Sequence, residues 1–389
     1  MKSIASAPAK IILFGEHFVV HGTKAILAAI DKRVTVTSTI TPGKESGPLM
    51  MKSDATLKIN SQLGTFEIPM HEWERPDDSL EGMCSLHGTG PRIYLRDGEV
   101  PSEFRPFVYL AAKLSDLTRS RHYRKKLALH PDGLEITIDS DIPVGVGLGS
   151  SSACCVAAAA SLYALFRAKL YGEIIYDKSG DSSFDREWFG ENEMEEILLL
   201  AKKAEKTIFP DTSGADCTVC TYGGMIEYTR KSKYDEPSIE KIDNTFDLNL
   251  VIANSMIPHN TKNSVEKVNK FKENDEERFS ELCDLENGLI DEVIVAMKNN
   301  DAAAFGLKMS ENQKYLEEIQ VSNDTLRDMM SSLKEISLGT KITGAGDGGC
   351  IIALVNDDNM DKVPALLGKD KECFSAKIDT KGVVWKIEE

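Results

Sequence analysis

Apolar and polar residues alternate with a period of two at residues 33–40 (R-V-T-V-T-S-T-I) and 134–139 (L-E-I-T-I-D), which predicts strands, because successive strand side chains face opposite sides of a sheet. Residues 11–14 form a short buried strand bracketed by Lys10 on one side and Gly15, Glu16 and His17 on the other, and 25–30 is a second apolar element. A helical period takes over at 104–117, where Phe107, Leu110, Ala111 and Leu114 share a face, and at 191–209, where Ile197, Leu200, Ala201, Ala204 and Ile208 do. Glu205 lies beside the second stripe. The Ala-rich run 153–166 is another helix, and helical patterns recur at 263–272, 280–298, 302–316 and 324–334. A strand is expected at 248–254, a strand, glycine loop and strand at 341–354, then a short helix and two strands.

The pattern fails in two places. Residues 41–102 mix glycines, prolines and charges around two alternating pieces, 56–60 and 64–68, and read as hairpins and long loops; 171–192 reads as a polar excursion between helices. After Phe209 the chain is expected to turn through 210–216 into a strand and a glycine turn at 218–224, and the charged stretch 230–240 is taken as the domain link.

With 389 residues the chain is long enough for two domains, and 41% hydrophobic with 28% charged residues describes a soluble globular protein. Lys and Arg number 46 against 62 Asp and Glu, so the net charge of −16 argues against a general nucleic-acid or anionic-membrane binder. An anionic substrate would then need a local basic pocket. No run of about 18 apolar residues and no leader-like segment is evident, so the expected location is cytoplasmic. The eight cysteines are scattered, several in apolar or glycine-rich runs where a reduced thiol packs as a small hydrophobe. Cys217 and Cys220 form a single C-x-x-C with no second pair, which does not suggest zinc.

Chemistry concentrates at residues 143–153, P-V-G-V-G-L-G-S-S-S-A, between the strand at 134–139 and the helix at 153–166. Gly145, Gly147 and Gly149 let the backbone take positive φ and approach a ligand, and the free N–H groups of the following helix start attract negative charge. Ser150, Ser151 and Ser152 add hydroxyls that can cap the helix or bind a cation. The loop reads as a phosphate cradle, yet it is neither a Walker loop nor the G-x-G-x-x-G of dinucleotide folds, and protein-kinase signatures are missing. Taken singly, Lys10 is a solvated strand-end charge, Glu205 a solvated helix charge, Asp216 a turn residue and Thr261 a helix N-cap.

Three pieces coincide in order: A-P-A-K-I-I-L-F-G-E-H-F-V-V-H-G at 7–22, the glycine-serine loop, and K-I-T-G-A-G-D-G-G-C at 341–350. Together they resemble the signature motifs of the galactokinase, homoserine kinase, mevalonate kinase and phosphomevalonate kinase (GHMP) superfamily, across nearly the whole chain. The first motif and I-P-H-N-T-K at 257–262 look most like the mevalonate kinase branch, as do Asn312-Gln313, Leu316 and Val321-Ser322. The resemblance implies an α+β fold of two domains: residues 1–228, ribosomal protein S5 domain 2-like and ATP-binding, and residues 229–389, ferredoxin-like. It further implies that Pro143, Gly145, Gly147, Leu148, Gly149, Ser150, Ser151 and Ser152 wrap ATP, and that Ser151, facing Glu205, joins it in holding Mg²⁺. Asp216 and Lys10 would be catalytic, Asp216 taking or orienting the acceptor's hydroxyl proton and Lys10 stabilising charge on the phosphoryl group. Lys10, Glu16, His17, Asp216, Thr261, Gly344, Ala345 and Gly346 would line the acceptor site for a small molecule such as mevalonate. His17 is read equally as a contact to the acceptor's carboxylate or as a partner of a buried backbone carbonyl. A homodimer is what the resemblance suggests. Two departures stand out: D-T-S-G-A precedes Asp216, with Cys217 after it, and Asp347 interrupts the third glycine run with a negative charge near the phosphates.

Overall fold

A computed structural model describes residues 1–41, 56–69, 94–95, 98–118, 133–143, 145–171, 190–230, 235, 237–242, 248–258 and 261–388. Most of the expected loops between 41 and 102, the core of the 171–192 excursion, Val144 and residues 259–260 lie outside the described residues.

The first half contains β1 (Lys2–Phe14), β2 (Lys24–Thr41), β3 (Thr56–Ser61), β4 (Gly64–Pro69), β5 (Tyr94–Leu95), β6 (Gly98–Glu99), α1 (Arg105–Thr118), β7 (Gly133–Ser140), α2 (Ser150–Tyr171), α3 (Glu191–Glu205), α4 (Ala215–Tyr222), β8 (Met225–Thr229) and β9 (Ser238–Ile242). The second half runs through β10 (Leu250–Asn254), α5 (Thr261–Asn274), α6 (Glu276–Lys298), α7 (Ala302–Glu318), α8 (Asp324–Leu333), β11 (Ser337–Thr343), β12 (Cys350–Val355), α9 (Val363–Leu367), β13 (Glu372–Ala376) and β14 (Val384–Glu388).

A large sheet is ordered β14-β1-β2-β7-β3-β4, with β8 also on β2 and β9 on β8; a second sheet is ordered β11-β12-β10-β13. This is the α+β class expected. Two segments beyond residue 228 complete the larger sheet, β9 against β8 and β14 against β1. The apolar pieces at 25–30 and 33–40 are one strand, β2: the register against β1 passes from Ile30 opposite Ala9 to Arg33 opposite Pro8, so Asp31 and Lys32 form a bulge that masked its continuity.

Residues 215–222 correct the sequence reading, being helix α4 rather than a strand. Thr218 and Thr221 return their hydroxyls to the Gly214 and Cys217 carbonyls at 2.8 Å, while Cys217, Val219 and Cys220 are buried in the core that α2 shares. Tertiary burial here overrides the β-branched composition. Helix α2 is long and apolar enough to cross a membrane by those measures alone, but 78% of that window is buried. It is a core helix packed on β1, β2, α1, α3 and α4, and its N-terminus is what the glycine loop delivers to the site.

Candidate active site

Strand β1 carries Lys10, whose N–H donates to the Leu148 carbonyl at 3.0 Å and so ties the glycine loop to the strand. Val146 and Leu148 are buried and pin that loop from below, leaving Gly145, Gly147 and Gly149 toward the outside with φ of 75°, 83° and 73°. At Gly149 a Cβ would lie 2.6 Å from Lys10 Cγ, so only glycine lets α2 begin this close to the lysine stem. Lys10 is 5% exposed, and its Nζ lies 3.1 Å from Asp216 Oδ2, whose side chain is 34% exposed. A solvated strand-end charge is therefore excluded.

Asp216 sits in the first turn of α4, behind Gly214 at a left-handed φ of 76°, where a carboxylate meets the positive end of the helix. Glu205 ends α3 and is buried at 3% exposed. Its carboxylate accepts hydrogen bonds from Ser152 Oγ, from Thr212 Oγ1 at 2.6 Å and from the Cys217 thiol. Burial raises its pKa, with the Ser152 and Thr212 bonds opposing. Burial also lifts Cys217 well above the ordinary thiol range, which keeps it protonated and able to donate. The departures around Asp216 thus supply two of the three groups that hold Glu205.

The expected facing of Ser151 and Glu205 is not what the fold provides: Ser152 makes that contact and Ser151 is exposed. Successive helical residues point about 100° apart, so only one of adjacent serines can reach α3. The resemblance also implies that Thr261 supports the Lys10–Asp216 cluster by a hydrogen bond. Thr261 opens α5 exposed, and among the described residues it makes no hydrogen bond to Lys10 or Asp216. The described cysteines are free, and no group of three or more His, Cys, Asp or Glu side chains among the described residues is placed to hold a metal.

The third glycine loop closes the opposite wall. Thr343 Oγ1 donates to the Ile12 carbonyl at 2.9 Å and accepts the Ile12 N–H at 3.1 Å, stitching β11 to β1. A Cβ on Gly344 would meet the Gly147 carbonyl at 3.8 Å, so the two glycine loops touch; one on Gly346 would lie 2.0 Å from the Val321 carbonyl, at a φ of 73°. His17 Nε2–H donates to the Ala345 carbonyl at 2.9 Å, so the backbone partner, one of its two readings, is present. Burial lowers its pKa, so the ring is neutral near pH 7. Asp347 does not leave a free charge near the phosphates: its carboxylate meets Lys267 Nζ of α5 at 2.5 Å. Glu16, expected among the acceptor contacts, is 1% exposed and paired with Lys341 behind the wall.

Two family models match the chain: GHMP kinases N terminal domain over residues 110–178, spanning the glycine loop and α2, and GHMP kinases C terminal over residues 293–367, spanning the third glycine loop. Among curated relatives, the mevalonate kinase of Thermococcus sibiricus is 29% identical over 94% of this chain and 93% of its own length. That of Arabidopsis thaliana is 29% identical over 98% and 99%. The chain belongs to the GHMP kinases. As a GHMP kinase it is a phosphotransferase that uses ATP and binds a small-molecule acceptor. The crystal structure of L. major mevalonate kinase in complex with R-mevalonate shares the fold, with a TM-score of 0.66 at 23% identity over 96% of this chain and 94% of that one.

Within this GHMP kinase, Lys10, Glu205, Asp216 and the first glycine loop come together, with Gly344 against that loop and His17 bonded to Ala345 beside it. Sequence reasoning missed Ser152 and Thr212 as holders of Glu205, and Lys341, Glu286 and Lys267 as charges behind or beside the acceptor wall. For Thr212 the signal was present: a hydroxyl seven residues after a helix-ending carboxylate, on the turn back toward it.

Proposed function

We propose that this GHMP kinase transfers the γ-phosphoryl group of ATP to the primary hydroxyl of (R)-mevalonate, giving 5-phosphomevalonate and ADP. The observation that carries the reading is the buried Lys10 amine 3.1 Å from the partly exposed Asp216 carboxylate, where two glycine loops meet. Full-length resemblance to proteins named mevalonate kinase supports the acceptor. The nearby lysines also favour an acceptor without a phosphate, because Lys10 and Lys267 each already face a carboxylate.

Phosphoryl transfer asks a protein mainly for positioning and charge neutralisation. Asp216 accepts the proton of the acceptor hydroxyl or orients that hydroxyl for attack. Lys10, held by its backbone bond to Leu148, offers a fixed positive charge to the transferred group. The N–H groups at the start of α2 and the glycine loop receive phosphate oxygens, with Val146 and Leu148 preventing the loop from collapsing inward.

The chemistry of the donors suits Mg²⁺: one buried carboxylate, Glu205, with the Ser152 hydroxyl on it and the exposed Ser151 hydroxyl next in the chain, matches a hard cation that takes few protein ligands and completes its shell with phosphate and water. Glu205 would hold the ion, and Ser151, whose hydroxyl is exposed and is not the one bonded to Glu205, is the serine that would join it; when bound the ion neutralises phosphate charge. The two serines separate by experiment. Ser152→Ala should cost about 1 to 2 kcal/mol of unfolding free energy by leaving Glu205 short of a donor, whereas Ser151→Ala should leave unfolding unchanged. Ser151→Ala should instead raise the Mg²⁺ concentration needed for half-maximal rate; an unchanged Mg²⁺ dependence would remove that hydroxyl from the metal site.

The decisive assay is a panel of mevalonate, phosphomevalonate, galactose and homoserine with Mg-ATP. Turnover of mevalonate above the rest is expected. Preference for any other alcohol overturns the acceptor. The assembly proposed with this reading is a homodimer, for which sedimentation at the mass of one chain would be the contrary result.

A further inference from the structure

Behind the acceptor wall lies a polar cluster that no step above uses. Glu16, Lys341, Glu286 and Asn312 are all 0% to 1% exposed, and they come from the β1–β2 connection, β11, α6 and α7. The Lys341 ammonium donates to Glu16 Oε1 and, at 2.7 Å, to the Ile342 carbonyl. Glu286 Oε1 accepts the Gly15 N–H at 2.8 Å, and its Oε2 accepts the Asn312 amide at 2.6 Å. Two buried acceptors of this cluster, Glu16 Oε2 and Asn312 Oδ1, have no hydrogen-bond partner. With both carboxyls ionised, the cluster would carry two negative charges and one positive charge away from water. One added proton neutralises it and supplies a missing donor.

We propose that Glu286 and Lys341 are positioning residues that hold the Gly15–His17 turn against the acceptor side of the cleft, with one proton kept between Glu16 and Glu286. The proposal rests on the reading of this cleft as a mevalonate kinase site. The turn is gripped twice from the second half of the chain: Gly15 by its N–H and Glu16 by its carboxylate. The next residue, His17, is the one that meets Ala345 of the third glycine loop, so the grip behind the wall sets the wall itself.

Burial, reinforced by the Glu16 charge, pushes Glu286 up to about 7. Burial likewise raises Glu16 and lowers Lys341. The groups around Glu286 are Glu16 from the β1–β2 connection, Lys341 from β11, Tyr315 and Asn312 from α7, and Cys283 on its own helix, with Lys10 acting on Glu16. When the pH rises past this range the cluster gains a net negative charge behind a wall that must receive an anionic acceptor.

The test compares the parent enzyme with Glu286→Gln, an isosteric change that keeps an oxygen for Gly15 and cannot titrate. In the parent, KM for mevalonate should rise about fivefold from about pH 6 to about pH 9, the size of a unit charge at partly screened range. In Glu286→Gln that rise should vanish, and KM for ATP should stay constant in both proteins. Thermal unfolding supplies a readout besides turnover. A carboxyl raised by folding stabilises the protein below its unfolded pKa, and that stability is lost as pH rises through the folded value. Tm of the parent should therefore fall relative to that of Glu286→Gln between about pH 5 and about pH 8. Superimposable KM and Tm profiles would overturn the proposal, and equal losses in both KM values would reduce Glu286 to a structural role. If the parent phosphorylates a different alcohol, the acceptor reading fails, and the same profiles measured with that alcohol still decide this inference.

Discussion

Asp216→Asn should lower kcat by about 10³-fold while KM for ATP moves little, the loss expected when a positioned acid–base group is removed. The amide has the shape of the carboxylate, so α4 and the packing of Cys217 beneath it should persist. The Asp216 side chain is 34% exposed and solvent screens it, but the Lys10 side chain is only 6% exposed and loses its counter-charge, so a destabilisation of about 1 to 2 kcal/mol is expected, too small to unfold the protein. What disappears is the negative charge that faces Lys10 Nζ at 3.1 Å and would receive the acceptor's proton. An interaction used mainly in the transition state is lost from kcat rather than from substrate binding. Steady-state kinetics with mevalonate, together with calorimetric binding of a non-hydrolysable ATP analogue, would separate the two. Activity within tenfold of the parent would leave Asp216 only a counter-ion.

Loops that demand glycine were readable in the chain because their conformation is a local requirement. Gly145, Gly147 and Gly149 at positive φ, alternating with buried Val146 and Leu148, leave the same trace in sequence as in structure. The amphipathic helices from α5 to α8 were readable for a similar reason, since each buries one stripe. Helix α4 was not, because Thr218, Val219 and Thr221 have strand character and only burial against α2 together with the left-handed Gly214 selects the helix. Nor could the choice between Ser151 and Ser152 be made from three identical residues: it depends on the phase of α2 relative to α3. Lys10, Glu205 and Asp216 look ordinary one at a time and gained roles through resemblance to a family. The Glu16–Lys341 pair lay beyond any local pattern, joining residues 325 positions apart, as did the Glu286 bond to Gly15 across 271.

Lys10→Met should lower kcat/KM for mevalonate by about 10³-fold, the scale of removing one preorganised charge from a closed site. Methionine suits the test because the slot is shaped for an unbranched stem: Lys10 is 5% exposed, and its stem passes beneath Gly149, which leaves no room for a Cβ. The fold should survive, with unfolding measured alongside to confirm it. Lys10→Arg should recover little of the loss, since a planar guanidinium needs width that the Gly149 contact denies and presents its charge in a different geometry. Retention of more than about a tenth of the parent activity in Lys10→Met would exclude this amine as the main charge on the transferred group. A double variant with Asp216→Asn carries the argument further. Groups that work as a unit give non-additive losses, so the double variant should be scarcely slower than the worse single one. A loss equal to the product of the two single losses would instead mean that Lys10 and Asp216 act on separate steps, and their 3.1 Å contact would be structural.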